Sequence, residues 1–481
     1  MRELVISRDE FETRVALLEE GRLVEYYVER PGRESLVGNI YKGRVENVLA
    51  GMDAAFVDIG LDRNGYLCAD EVLVPEGLRS QARKITNLLR SGKEILVQVV
   101  RDPVGSKGPR LTTQLGIAGR FVVYLPVTPV AGVSRRLEEA ERERLRAICR
   151  AIAPPEGGLI IRTAAEGADE GAIRRDLEFV LKIWKEVKTR AAGASAPALV
   201  YAEADLAVRA VRDLLGFEWG RVVVDDARLH QRLKNYLRAV APEVADEMEL
   251  CEGELPLIER LGLQEEAKKA LARRVELPSG GYLVIDHTEA MTVIDVNTGR
   301  YVGKRTLEDT SVKTNVEACR EIVRQLRLRD IGGIIVIDFI DMASPSNREA
   351  VLATLEAELA QDRSKTYVVE LSPLGLVEMT RQSTSQGLRE VLTVPCLCCC
   401  GEGRVLSEES AFIEVYRRIS VLASASKAPL VRVEVHPNMA ARLRADKEMP
   451  LARLERKTGR QIQLEVGSHD LPLERVTLVS D

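Results

Sequence analysis

Asp295, Asn297 and Asp338 carry the clearest chemistry in this sequence. They stand in two apolar runs, MTVIDVN at 291–297 and IIVIDF at 334–339, of the kind that form buried strands. Strand alternation puts Asp295 and Asn297 on one face, about 7 Å apart at the usual rise. An ionised carboxylate on a strand buried on both faces is costly unless it is paired. Two such acids at neighbouring strand ends, with no fixed cation between them, suit a divalent ion with a preference for oxygen, Mg²⁺. Such an ion lowers the pKa of a bound water and offsets charge in an in-line displacement at phosphorus. Asn297 would then orient the phosphate or the attacking water. The competing reading is structural, with both acids accepting hydrogen bonds or pairing with arginines. His287, near the turn of the hairpin that holds Asp295, is a further titratable group close by in sequence.

Three other clusters have chemistry of their own. In CLCCCGEG (396–403), Cys396 and Cys399 have the C-x-x-C spacing that clasps Zn²⁺, with glycines for the tight turn. Cys398 and Cys400 are the neighbouring alternatives. Zinc takes four ligands, and no second C-x-x-C or nearby histidine follows. Adjacent cysteines cannot easily all reach one tetrahedral centre, so two chains giving two cysteines each is the expected arrangement. A redox-labile thiol cluster is the alternative. A thioredoxin-type redox motif is not expected, because the pair does not open a helix after a strand. Arg162 and Thr163 close the strand GGLIIRT just before a helix start, where a cation, a hydroxyl and free N–H groups can seat a phosphate. The alternative there is a solvent-facing strand end. Phe56 and Tyr66 fall at strand positions in AAFVDIGLDRNGYL, either as core or as rings for stacking bases.

The elements that must position these residues can be read in outline. With 481 residues, about three to five compact units are expected. Hydrophobic residues are 45% but aromatics only 4%, so aliphatic side chains must fill the cores. A net charge of −5 argues against a uniformly basic nucleic-acid coat, though not against local patches. No apolar stretch is long enough to span a membrane and no signal peptide is evident, so the cytoplasm is the expected location. The scattered Cys68, Cys149, Cys251 and Cys319 are expected to be reduced.

Residues 1–35 form short strands too few for a domain, and an α/β segment at 199–271 can complete them. Residues 36–118 are a run of short, Gly-punctuated strands that suggests a small closed barrel. Residues 119–198 alternate strand and helix and end in the linker AAGASAPA. Residues 272–393 are a second α/β unit, in which a helix from Thr314 to Arg329 carries Arg320, Arg324 and Arg327 on one face. Residues 394–404 hold the cysteines, and 405–481 read helix, strand, helix, strand.

Taken together, GNIYKGRVENVLAGMDAAFVDIG, GLIIRTA, MTVIDVNTG, TNVEACREIVRQLRLRDIGGIIVIDFIDM and the cysteine segment resemble the ribonuclease E/G family over nearly the whole chain. The resemblance implies a multidomain α/β and α+β protein. Its expected parts are an RNase H-like subdomain split between 1–35 and 199–271, an inserted OB-fold at 36–118 and a 5′ sensor at 119–198. A DNase I-like catalytic subdomain at 272–393, a zinc link at 394–404 and a small dimerisation domain at 405–481 complete the set. By motif, Asp295 and Asp338 match the Mg²⁺ ligands and Asn297 their polar partner. Arg162 and Thr163, supported by Gly119 and Val123, match the grip on a 5′-monophosphate. Phe56, Tyr66 and Lys107 match the barrel positions that hold RNA, and Cys396 and Cys399 the zinc pair. Leu397 departs from the family's proline, Cys398 and Cys400 are extra, and Tyr66 stands where phenylalanine is common. The implied activity is Mg²⁺-dependent cleavage of single-stranded RNA, such as ribosomal RNA precursors and mRNA, by a homodimer or homotetramer that prefers 5′-monophosphate ends. A non-catalytic RNA-binding or assembly protein, or a DNA nuclease, are the competing expectations.

Overall fold

The computed structural model describes residues 2–74, 84–103, 105, 107–215, 220–299, 307–372, 374–382, 386–399, 401–445, 450–469 and 472–479, and of Glu243, Leu307, Glu370 and Leu371 the backbone alone. Cys400 thus lies outside the described residues. The chain forms two compact units, Met1–Val391 and Leu392–Asp481.

In the first unit, three N-terminal strands, Arg2–Arg8, Thr13–Glu19 and Arg22–Glu29, form antiparallel hairpins. Arg2–Arg8 then pairs in parallel with Arg221–Val224, which pairs with Met248–Leu250. One five-stranded sheet therefore joins the start of the chain to the 221–250 segment. Between these two halves the chain makes a barrel. Ile40–Leu49, Ala54–Asp58, Gly65–Cys68, Arg110–Thr112 and Glu94–Arg101 are hydrogen-bonded in that order, and the last closes on the first. Alternation turns Val45, Val57, Leu67, Val97, Val99 and Leu111 into the lumen. A Cβ on Gly65 would lie 2.3 Å from Leu111 Cδ1, so the lumen is filled up to the backbone there.

A four-stranded sheet follows, ordered Ala131–Val133, Gly158–Ile161, Val122–Leu125, Ile117–Ala118. It shares a core with the helices Glu139–Ile152 and Glu170–Gly193. Asp169 caps the second helix by accepting from the Ala172 N–H. The strand Ala198–Tyr201 returns to pair with Ile40–Leu49 of the barrel.

The sheet that holds Asp295 and Asp338 has six strands, ordered Arg274–Glu276, Tyr282–His287, Met291–Asn297, Gly333–Asp338, Leu376–Arg381, Thr366–Leu371. Only Met291–Asn297 and Gly333–Asp338 run parallel, joined through the helix Leu307–Leu328. That helix and Pro345–Leu359 cover one face, where Ile285, Ile294, Val296, Ile335, Ile337, Val377 and Met379 are buried. No described helix packs on the opposite face, where Ile334 is 49% exposed and Tyr367 67%. The expectation that these strands are buried on both faces is therefore corrected. Their apolar runs reflect one packed face plus β-branched residues on the one that no described helix covers.

The basic face of the helix also differs from expectation. The helix begins at Leu307, and neither Arg324 nor Arg327 faces solvent or the acid pair. Arg327 is buried between Glu19 and Glu25 of the N-terminal hairpins, at 3.0 and 2.9 Å. Arg324 Nη1 donates to the Leu23 carbonyl, and Arg320 alone remains mostly exposed beside Glu358.

The second unit packs the helix Glu408–Ala425 on a three-stranded sheet ordered Gln461–Val466, Leu430–Val435, Val476–Leu478. Two helices, Pro437–Arg444 and Pro450–Thr458, follow the strand Leu430–Val435, one more than the sequence suggested.

Candidate active site

Asp295 and Asp338 are direct register partners on parallel strands, so their backbones lie about 4.8 Å apart. Ile294, Val296 and Ile337 point into the helix-covered core, which turns both acids onto the opposite face. Asn297 shares that face and donates its amide N–H to Asp295 Oδ2 at 2.8 Å, leaving its amide oxygen directed elsewhere. Partial burial, and then the like charges of Asp295 and Asp341, push the Asp338 carboxyl above the usual carboxylate range. No Lys or Arg among the described residues pairs with any of these three acids. Crowded carboxylates that no described Lys or Arg pairs with fit a divalent ion. Among the described residues no three His, Cys, Asp or Glu side chains meet to cage a metal by themselves. Two carboxylates are instead a partial ligand set that leaves positions for water.

The register adds neighbours that the sequence reading missed. Tyr282 is the cross-strand partner of Asn297, and Val284 that of Asp295. The Arg274 guanidinium lies 3.7 Å over the Tyr282 ring and is paired with Glu276. Only the pairing of Arg274–Glu276 with the next strand brings them to this face, so local sequence carries no signal for them. His287 is not part of the site. It pairs with Thr292, at the other end of the strand, and its Nδ1 lies 3.1 Å from Thr292 Oγ1. Burial and the nearby cations Arg389 and Arg329 lower its pKa, which favours the neutral ring.

Arg162, Thr163 and Gly119 converge at one end of the four-stranded sheet. Arg162 Nη1 donates to the Gly119 carbonyl at 2.6 Å, and Nη2 to Asp213 Oδ1 at 2.7 Å. The Thr163 hydroxyl is 2.8 Å from that of Ser134. Val123 opposes Ile160, which places it on the same sheet face as Arg162. A Cβ on Gly119 would lie 2.4 Å from Asp176 Oδ2. Asp176 in turn accepts the N–H groups of Arg120, Phe121 and Val122 at 3.1, 2.8 and 3.1 Å, fixing the loop beneath the seat. Asp213, which sequence reading also missed, is held ionised. Despite burial, the Arg212 and Arg162 guanidinium groups lower its pKa to about 2.

On the barrel, Phe56 and Tyr66 are cross-strand partners, half-buried on its outer side, with ring centroids 6.0 Å apart and edge to face. Lys107 is exposed in the loop alongside. That loop is pressed onto the Tyr66 strand: the Tyr66 N–H donates to the Pro109 carbonyl at 2.8 Å. A Cβ on Gly108 would sit 2.0 Å from the Asn64 carbonyl oxygen.

In the second unit Cys396 is exposed and Cys398 and Cys399 are half-buried. Amide N–H groups of Cys399 and Cys398, with the Cys399 thiol, point at the Cys396 sulfur and lower its pKa. Thiolate is the form zinc takes, although among the described residues no third ligand joins the pair.

Comparison with known proteins agrees along the chain. Residues 116–384 match the model of the Ribonuclease E/G family, and residues 395–475 that of the RNase E/G, Thioredoxin-like domain. Ribonuclease G of Escherichia coli K12 is 41% identical over 472 residues, 96% of either chain. Ribonuclease G of Haemophilus influenzae is 42% identical over 425 residues, 87% of either chain. Ribonuclease E of H. influenzae is 36% identical over 462 residues, 95% of this chain but 49% of that protein.

Proposed function

This chain belongs to the ribonuclease E/G family, and we propose that it is a Mg²⁺-dependent endoribonuclease that cuts single-stranded RNA and prefers 5′-monophosphate ends. The observation that carries this reading is the in-register pair Asp295 and Asp338 on the sheet face that no described helix covers, with Asn297 bound to the first. Such a face suits a polymer cut within its length, because the strand can enter from the side. Asp295 and Asp338 would hold Mg²⁺, which when bound supplies a water of lowered pKa and a counter-charge at phosphorus. Asn297 fixes the rotamer of Asp295 and offers its amide oxygen to the water or to the ion's hydration shell. The scissile strand leaves with a 3′-hydroxyl and a 5′-phosphate.

Around this centre, Phe56 and Tyr66 would stack unpaired bases and Lys107 would meet the backbone, which selects flexible RNA. Arg162 and Thr163, with Gly119 and Val123, would receive the 5′-phosphate. Cys396 and Cys399 would supply half of a zinc site shared with a second chain, so the working form is a dimer or a pair of dimers. The substrates are ribosomal RNA precursors and mRNA. No described helix is long and apolar enough to cross a membrane, in keeping with a cytoplasmic role.

The test is cleavage of a 5′-labelled single-stranded RNA with Mg²⁺, then with EDTA. EDTA should stop cutting, and Asp295→Asn or Asp338→Asn should lower it about a thousandfold while RNA binding persists. Full activity in both variants would remove the metal assignment.

A further inference from the structure

We propose that Asp213 is the positioning residue of the 5′-phosphate seat, bracing the Arg162 guanidinium so that its free edge meets the incoming phosphate. The inference rests on the reading of Arg162 as a phosphate ligand. A long side chain at a strand end has many rotamers, and ordering it anew at each encounter costs affinity. Here two acceptors order it in advance, the Gly119 carbonyl at Nη1 and Asp213 Oδ1 at Nη2. Two of the five guanidinium N–H donors are thereby used, and the rest stay available for a phosphate.

Asp213 is itself held on three sides. Arg212 Nε reaches Oδ1 at 3.1 Å and Arg212 Nη2 reaches Oδ2 at 3.0 Å. The Asp213 backbone carbonyl accepts from Arg363 Nη1 at 2.9 Å. Arg212 is anchored in turn on Glu203 Oε1 at 2.8 Å. The Asp213 carboxylate is thereby held by two guanidinium groups and orients Arg162 from a fixed place. Its position as the last residue of the helix Leu206–Asp213 ties this geometry to a rigid element.

The experiment uses the full-length enzyme and two RNAs of one sequence, bearing a 5′-monophosphate or a 5′-hydroxyl, and reads the ratio of their kcat/KM values. Arg162→Ala sets the floor. Asp213→Ala is expected to lower the ratio about tenfold toward that floor, the effect of losing one hydrogen bond to a charged group. Asp213→Asn keeps an oxygen for Arg162 and Arg212 Nε at Oδ1 but turns an amide NH2 group toward Arg212 Nη2, and is expected to give a ratio between those of the parent and Asp213→Ala. A purely structural role would depress both RNAs together and leave the ratio intact in Asp213→Ala, which would overturn the proposal. Asn failing as badly as Ala would overturn it too, since the retained oxygen should keep part of the effect. If Arg162→Ala itself leaves the ratio unchanged, the seat is misassigned and the inference falls with it, an outcome distinct from the other two.

Discussion

At the level of single residues, the site was readable wherever alternation alone sets direction. Asp295 and Asn297 differ by two positions in one strand, so their shared face follows from the chain. The meeting of Asp295 with Asp338 does not, because a one-residue slip between strands would send one of them into the core. Tyr282, Arg274 and Asp213 were invisible for the same reason: each reaches its place only through a strand or helix distant in sequence. The hydrogen bond from Asn297 to Asp295 has a measurable consequence. Asn297→Ala frees the Asp295 carboxylate to rotate, so activity should fall about 10- to 100-fold, the range seen when a ligand's supporting hydrogen bond is removed. The Mg²⁺ concentration for half-maximal rate should rise as well. A Mg²⁺ titration of the cleavage rate reads both effects, and an unshifted midpoint would mean that Asn297 acts on the substrate alone.

At the level of elements, the helix Leu307–Leu328 shows where a sequence pattern misleads. Arginines at helical spacing read as one charged helix face, yet Arg327 is 6% exposed and locked between two glutamates of the N-terminal hairpins. A charged stripe on a helix does not reveal whether the surface opposite is water or an acidic sheet. Removing Arg327 leaves Glu25 with Arg363 as its remaining cation, at a cost of about 3 kcal/mol for a broken buried pair. The Arg327→Met variant should therefore unfold at lower urea, read by far-UV circular dichroism. Glu25 also gives a pH signature. Although burial opposes ionisation, Arg363 and Arg327 bring its pKa from 4.5 down to about 2. Its folded value lies below its unfolded one, so its contribution is complete above about pH 4.5 and drains away as the pH falls toward 2. Urea midpoints measured from pH 6 down to pH 3 should fall, and fall less steeply in Arg327→Met.

At the level of the whole molecule, Gly-punctuated short strands announced the barrel, and the structure closes it with five. In the C-terminal module, whose family model describes a thioredoxin-like domain, the structure adds a helix, Pro450–Thr458, and a strand, Val476–Leu478, to the elements expected. Absence of a redox motif in the sequence speaks to chemistry, not to fold. The cysteine segment bears on assembly. A pair of thiols that stops short of four ligands predicts about half a zinc ion per chain in purified protein. Cys396→Ser together with Cys399→Ser should remove the metal and shift the particle to lower mass in light scattering. One full ion per chain, or an unchanged mass, would place zinc within a single chain.

The strand Arg2–Arg8 finds its parallel neighbour only in Arg221–Val224. During synthesis the ribosome releases the first hairpins long before that neighbour exists, and at ordinary elongation speeds the delay is roughly ten to forty seconds. Throughout that interval the nascent chain presents an apolar strand edge with nothing to zip onto. The barrel, whose five strands all fall between residues 40 and 112, can mature before residues 2–29 complete their sheet.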